Sequence, residues 1–285
     1  MKVEKPRLLP SAPGPIGVFD SGFGGLTVLQ EIRSLLPQYD YMFLGDNARA
    51  PYGTRSFDVV YRYTLQGVTA LFEKGCHLVI LACNTASAKA LRTIQQNDLP
   101  LLDSQRRVLG VIRPTAEIVG ELTTTRHIGL LATPGTVSSR SYELELQKLY
   151  PKVKVTGLAC PMWVPLVENF EFDKPGADYF VKDKVDELLS KDAQIDLIIL
   201  GCTHFPFLLP KIRKYVPSSI RIISQGAYVA QSLRNYLERH PEMNAKCSKG
   251  GACHYYTTEE SLNFDHTARL FLNENVRSIH MDMEA

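Results

Sequence analysis

Two hydrophobic patterns alternate along the chain. Short runs that are apolar at nearly every position occur at 16–19 (IGVF), 41–45 (YMFLG), 77–82 (HLVILA), 108–112 (VLGVI), 127–132 (HIGLLA), 153–158 (VKVTGL) and 196–201 (DLIILG). Longer segments of helical period lie around 25–36, 56–74, 86–96, 137–149 and 178–190. The first pattern predicts strands covered on both faces, and the second predicts helices. Their alternation predicts an α/β fold of mostly parallel sheets flanked by helices.

The pattern also repeats. LVILACNTAS (78–87) aligns without a gap on LIILGCTHFP (197–206). Each is an apolar strand, a small residue, a cysteine, then Asn or Thr. Upstream of each, a strand runs into a glycine turn, VFDSGFGG at 18–25 and LLATPGTV at 130–137. From Asp20 to Cys83 is 63 residues, and from Thr133 to Cys202 is 69. Two related α/β units are expected, each presenting a cysteine from a strand end. The first spans 1–110 plus the returning tail 225–285, and the second spans 111–224. The stretch 240–252 (HPEMNAKCSKGGA) reads as an exposed loop, and the positive, Pro-rich start of the chain reads as a flexible lead-in rather than a secretory signal.

Composition narrows the partners. Of the 285 residues 45% are hydrophobic and 22% charged, enough for a real core, and the formal net charge is +2. No basic block points to nucleic acid and no apolar run is long enough to cross a bilayer. The six cysteines read as free thiols in a reducing cytoplasm. Cys247, Cys253 and His254 match no zinc spacing, so no metal site is expected.

Ligands of open α/β sheets bind beyond the carboxyl ends of the strands, where Cys83 and Cys202 fall. A helix N-terminus there is expected to lower a thiol's pKa, with Asn84, Thr85, Thr203 and His204 as further donors. Cys76 precedes its strand and Cys160 adjoins a proline, so both read as core or loop residues. DSGFGG (20–25) places Asp20, Ser21 and three glycines at a strand end. Thr27 stands where a dinucleotide fingerprint needs its last glycine, so a carboxylate suits this turn better than a pyrophosphate. LGDNARAPYGTRS (44–56) is a candidate rim of the same pocket, and Glu168 and His204 are candidates for tuning or sharing proton transfer. Two acid/base groups facing each other across a carbon invert it without either group moving. A cysteine hydrolase built on Cys202 and His204 leaves Cys83 and the repeat unexplained, and a non-catalytic binding protein is the third alternative.

Six segments in order, IGVFDSGFGGLTV, GDNARAPYG, LACNTASA, ATPGT, CPMWVPLVE and LGCTHFPFL, resemble the bacterial glutamate racemases of the aspartate/glutamate racemase superfamily. The resemblance implies two α/β domains with the active site in the cleft between them. It implies interconversion of L- and D-glutamate without pyridoxal phosphate, metal or other cofactor, supplying D-glutamate for peptidoglycan. By position it makes Cys83 and Cys202 the catalytic thiols, with Cys83 taking the proton from D-glutamate and Cys202 from L-glutamate, assisted by Asp20, His204 and Glu168. Asp20, Ser21, Tyr52, Gly53, Asn84, Thr85, Thr133, Gly135, Thr136, Thr203 and His204 fall at substrate-contact or motif positions. A homodimer is expected, and an aspartate or other small-acid racemase is the sister alternative. Departures from the pattern include Ser224 and Gln225, where the family commonly shows an Asp followed by a small residue, and a longer LLDSQRRVLGVI segment.

Overall fold

The fully apolar runs become fully buried parallel strands. A computed structural model describes residues 12–283, so the lead-in at 1–11 lies outside the described residues. Strands β1 (Ile16–Asp20), β2 (Tyr41–Gly45), β3 (Leu78–Leu81) and β4 (Arg107–Gly110) belong to a first sheet. Strands β5 (His127–Ala132), β6 (Lys154–Ala159), β7 (Leu197–Gly201) and β8 (Arg221–Ile223) form a second. The chain then returns, and β9 (Cys253–Thr257) and β10 (Ser278–His280) extend the first sheet past β2. The sheet orders are β10-β9-β2-β1-β3-β4 and β6-β5-β7-β8, with every pairing parallel.

Within these orders β2-β1-β3-β4 and β6-β5-β7-β8 trace the same path, the structural form of the sequence repeat. In each the chain moves one way from the first strand and then the other way. This puts a topological switch point between β1 and β3, and another between β5 and β7. The switch points lie at the ends carrying Asp20 and Cys83, and Thr133 and Cys202.

Each sheet has apolar clusters on both faces. Trp163 packs edge-on to Phe205 at 4.8 Å between centroids in one, and Val18, Leu29, Phe43 and Phe264 meet in another. The helix Gly226–Arg239 carries the chain back and packs on the helix Gly25–Leu35.

Several sequence expectations need correction. The run 108–112 is strand only to Gly110, and Ile112 already begins the helix Ile112–Leu122 that crosses to the second sheet. The helix expected at 137–149 breaks at Arg140, which adopts φ +55° between Pro134–Ser139 and Ser141–Leu149. The segment 240–252 is not a free loop. Pro241–Asn244 is helical, Met243 and Cys247 are buried, and Gly14 exchanges backbone hydrogen bonds with Lys246 (3.0 Å) and Ser248 (2.8 Å). Among the described residues no helix is long and apolar enough to cross a membrane.

Candidate active site between the two sheets

Cys83 sits two residues past Leu81, the end of β3, and caps the short helix Asn84–Lys89, accepting from the Ala86 N–H at 3.4 Å. Its thiol donates to Ser21 Oγ at 3.3 Å. Asp20 ends β1, fully buried, and its carboxylate accepts from the Gly22 N–H at 3.1 Å. From the second sheet, Cys202 follows β7, with its sulfur 3.8 Å from His204 Nδ1. On the other side of that ring, Nε2 lies 3.0 Å from Glu168 Oε1. Cys202 also borders a recess of about 230 Å³ shared with Thr203, Phe207, Gln225 and Phe271.

The two sheets meet through polar contacts from matching places in the repeat. Thr203 Oγ1 donates to Asp20 Oδ1 at 3.5 Å, and Thr27 Oγ1 donates to the Thr203 carbonyl at 3.1 Å. Across the pseudo-twofold, Thr85 Oγ1 lies 2.9 Å from Thr133 Oγ1 and 3.4 Å from Thr136 Oγ1. The Gly135 N–H donates to the Gly53 carbonyl at 2.7 Å. The sequence-derived residues are thus brought together, with one qualification of role. The Tyr52 hydroxyl donates to buried Asp46, and the hydrogen bond from this turn to the second sheet is made by the Gly53 carbonyl.

The electrostatics reverse one expectation. Cys83 does occupy a helix N-cap, yet its thiol is pushed up to about 12. Burial is the main cause and the Asp20 carboxylate adds to it, outweighing Ser21 and the Ala86 N–H. A charge on Cys202 raises it further, which places the two sulfurs within each other's field. Asp20 itself is raised to about 6 by burial, opposed by His204 and the backbone N–H groups of Gly25 and Gly22. Burial disfavours a charged His204, but its bonds to Cys202 and Glu168 win and hold it well above the usual histidine range. The resting site therefore keeps a neutral Cys83 on one side and a proton-rich His204 on the other.

Sequence reasoning missed Tyr142 and Thr115 and saw Gln225 only as a departure. The Tyr142 hydroxyl donates to Asn84 Oδ1 at 2.7 Å, and Asn84 Nδ2 donates to Gln225 Oε1 at 2.5 Å. No local pattern signals such contacts, because the partners are 58 and 141 residues from Asn84. Of the other cysteines, Cys76 and Cys160 are buried in the core as expected.

A pair of like α/β units facing each other with a thiol at each switch point defines a racemase-type site. Residues 16–233 match the family model for the Asp/Glu/Hydantoin racemases, and the chain belongs to that family. A curated glutamate racemase of a Ruegeria species is 40% identical over 92% of this chain and 97% of its own. The crystal structure of a glutamate racemase isoform from Bacillus anthracis superposes with a TM-score of 0.86 at 34% identity, covering 94% of this chain and 97% of that one. The Francisella tularensis glutamate racemase, solved in complex with D-glutamate, gives 0.84 at 28% identity, covering 95% and 98%.

Proposed function

We propose that this protein interconverts L- and D-glutamate by proton transfer between Cys83 and Cys202, in the cytoplasm, supplying D-glutamate for peptidoglycan. The observation that carries this reading is the pair of buried thiols at equivalent switch points of two facing sheets, each beside its own proton carrier. We take 1–110 plus 225–285 and 111–224 as the two bodies that close on the substrate, and the homodimer expected from the resemblance as its assembly. Light scattering on the purified protein tests that assembly.

The α-proton of an amino acid is a very weak acid, so the site must work on both ends of the transfer. A glutamate entering the cleft brings its ammonium group against the thiols. That positive charge opposes what Asp20 does to Cys83 and favours the thiolate. Asp20, ionised above about pH 6, takes the Cys83 proton as the thiolate forms, and Ser21 turns from acceptor to donor towards it. The Cys83 thiolate takes the α-proton of D-glutamate on one face, while Cys202 returns a proton on the other. His204, held by Glu168, then restores the Cys202 proton. L-glutamate runs the sequence backwards. Donors from Asn84, Thr85, Thr203 and the backbone meet the carboxylate where negative charge builds up. Two facing acid/base groups make this scheme independent of any cofactor.

Proton NMR in deuterated buffer tests it. Both enantiomers of glutamate are expected to lose the α-proton signal, and Cys83→Ala or Cys202→Ala to lower racemisation by at least about a thousandfold. Exchange with aspartate and none with glutamate would keep the mechanism and change the substrate. An acyl-enzyme trapped on Cys202 in a protein without exchange would replace it with a hydrolase.

A further inference from the structure

We infer that Gln225 is a positioning residue for the proposed reaction, holding the Asn84 carboxamide through a closed hydrogen-bond ring that joins both bodies of the molecule. The inference rests on the function proposed above.

The ring has three members. Asn84 Nδ2 donates to Gln225 Oε1 (2.5 Å), the Gln225 amide donates to the Tyr142 hydroxyl, and that hydroxyl donates to Asn84 Oδ1 (2.7 Å). Gln225 Nε2 also donates to Thr115 Oγ1 at 3.2 Å. All four side chains are buried, with Asn84 and Gln225 at 2% and 4% exposure and Tyr142 and Thr115 at 0%. A neutral ring of buried side chains resists opening, because breaking its bonds leaves buried polar groups without partners.

Its members come from both units and from the crossings between them. Asn84 directly follows Cys83. Tyr142 rides on the helix Ser141–Leu149 of the second unit. Thr115 lies just after the outward crossing and Gln225 lies at the return crossing, one residue before the helix Gly226–Arg239. Burial keeps the Tyr142 phenol neutral, and a charge on Cys202 reinforces this, so the ring lies within the field of the second thiol as well. An amide nitrogen carries two hydrogens. Gln225 takes one from Asn84 and so fixes the direction of the other, the donor assigned above to the substrate carboxylate.

The residue type matters. A small side chain has neither the length nor the second amide group needed to bond Asn84, Tyr142 and Thr115 together.

A double-mutant cycle in kcat/KM for glutamate tests the inference on the full chain. Gln225→Leu and Tyr142→Phe each remove one member of the ring, and with it two of its three bonds, with little change in shape, and if Gln225→Leu does not fold, Tyr142→Phe carries the cycle. Each is expected to lower kcat/KM about tenfold in the natural background, and by less than about twofold when Asn84 is already alanine. Circular dichroism would show the fold retained. An equal loss in both backgrounds, or natural kcat/KM in both ring variants, would overturn the positioning role while leaving the function intact. Absence of α-proton exchange in the unaltered protein would overturn the function and this inference together.

Discussion

At the scale of single residues, Asp20 is where stability and chemistry pull apart. The folded protein holds its proton to about pH 6, whereas the free carboxyl loses it near 3.8. Between those values the folded state binds more protons than the unfolded one, so this contribution to stability falls as pH rises and is gone above about 6. Asp20→Asn has no such proton to lose. It is expected to be more stable than the natural protein above pH 6, by about 1–3 kcal/mol, with the gain shrinking towards pH 4. Racemisation should nevertheless be largely lost. Urea unfolding at several pH values reads the first effect, and a gain that ignored pH would show that Asp20 ionises normally. The natural enzyme should also lose kcat/KM as pH falls through about 6, where Asp20 takes up its proton.

At the scale of elements, the two switch points depend on backbone passing close to side chains. A Cβ on Gly24 would lie 2.3 Å from Thr203 Oγ1 and 2.5 Å from His204 Nδ1. Its backbone is ordinary helical (φ −56°, ψ −34°), so alanine is comfortable locally and the clash falls wholly on the facing unit. Gly24→Ala is expected to cut kcat by about a hundredfold through displacement of the Cys202–His204 pair. Gly75 is the converse, with φ +96° and open space around its Cβ position. Gly75→Ala should cost about 1 kcal/mol of stability and leave kcat unchanged. Steady-state kinetics beside thermal melts separate the two, and a Gly24→Ala enzyme with natural kcat would remove the close approach from the mechanism.

How much was legible follows the same division. β1, β2, β3, β5 and β7 were readable because interior parallel strands are apolar at every position, and the repeated cysteine marked which ends matter. β8, β9 and β10 were not singled out. They are short, partly exposed and rich in residues such as Arg221, His254 and His280, as edge and near-edge strands often are. The thiol pKa at Cys83 was misjudged because the helix N-terminus is a local signal, whereas burial and the charge of Asp20 come from the assembled site. Glu168 gave no local sign of its place beside His204, which lies 36 positions further along the chain.

At the scale of the whole molecule, one aromatic side chain ties the returning tail to the second unit. Phe271, on the helix Ser261–Leu272, lies 4.2 Å from the Phe207 ring centroid, 5.8 Å from Phe170 and 6.1 Å from Phe23. The ring clasp at Gln225 and this aromatic cluster hold the two units at separate places. Phe271→Ala is expected to cost about 1–3 kcal/mol and to raise KM for glutamate several-fold by loosening closure. Small-angle scattering of the ligand-free variant should show a larger radius. A stability loss with unchanged KM would make the cluster simple packing.

The tail has a second consequence, for the order in which the molecule is made. β2 pairs with β9, so Tyr41 waits for Cys253 and Gly45 for Thr257. A ribosome finishes the whole second sheet, at Ile223, before it has made the strand that completes the first. The N-terminal unit is thus the last to become whole, and until then β2 is a bare apolar edge on a nascent chain. The later-made unit matures first. Emergence of β9, rather than of Cys83 and Cys202, becomes the event that completes the first sheet.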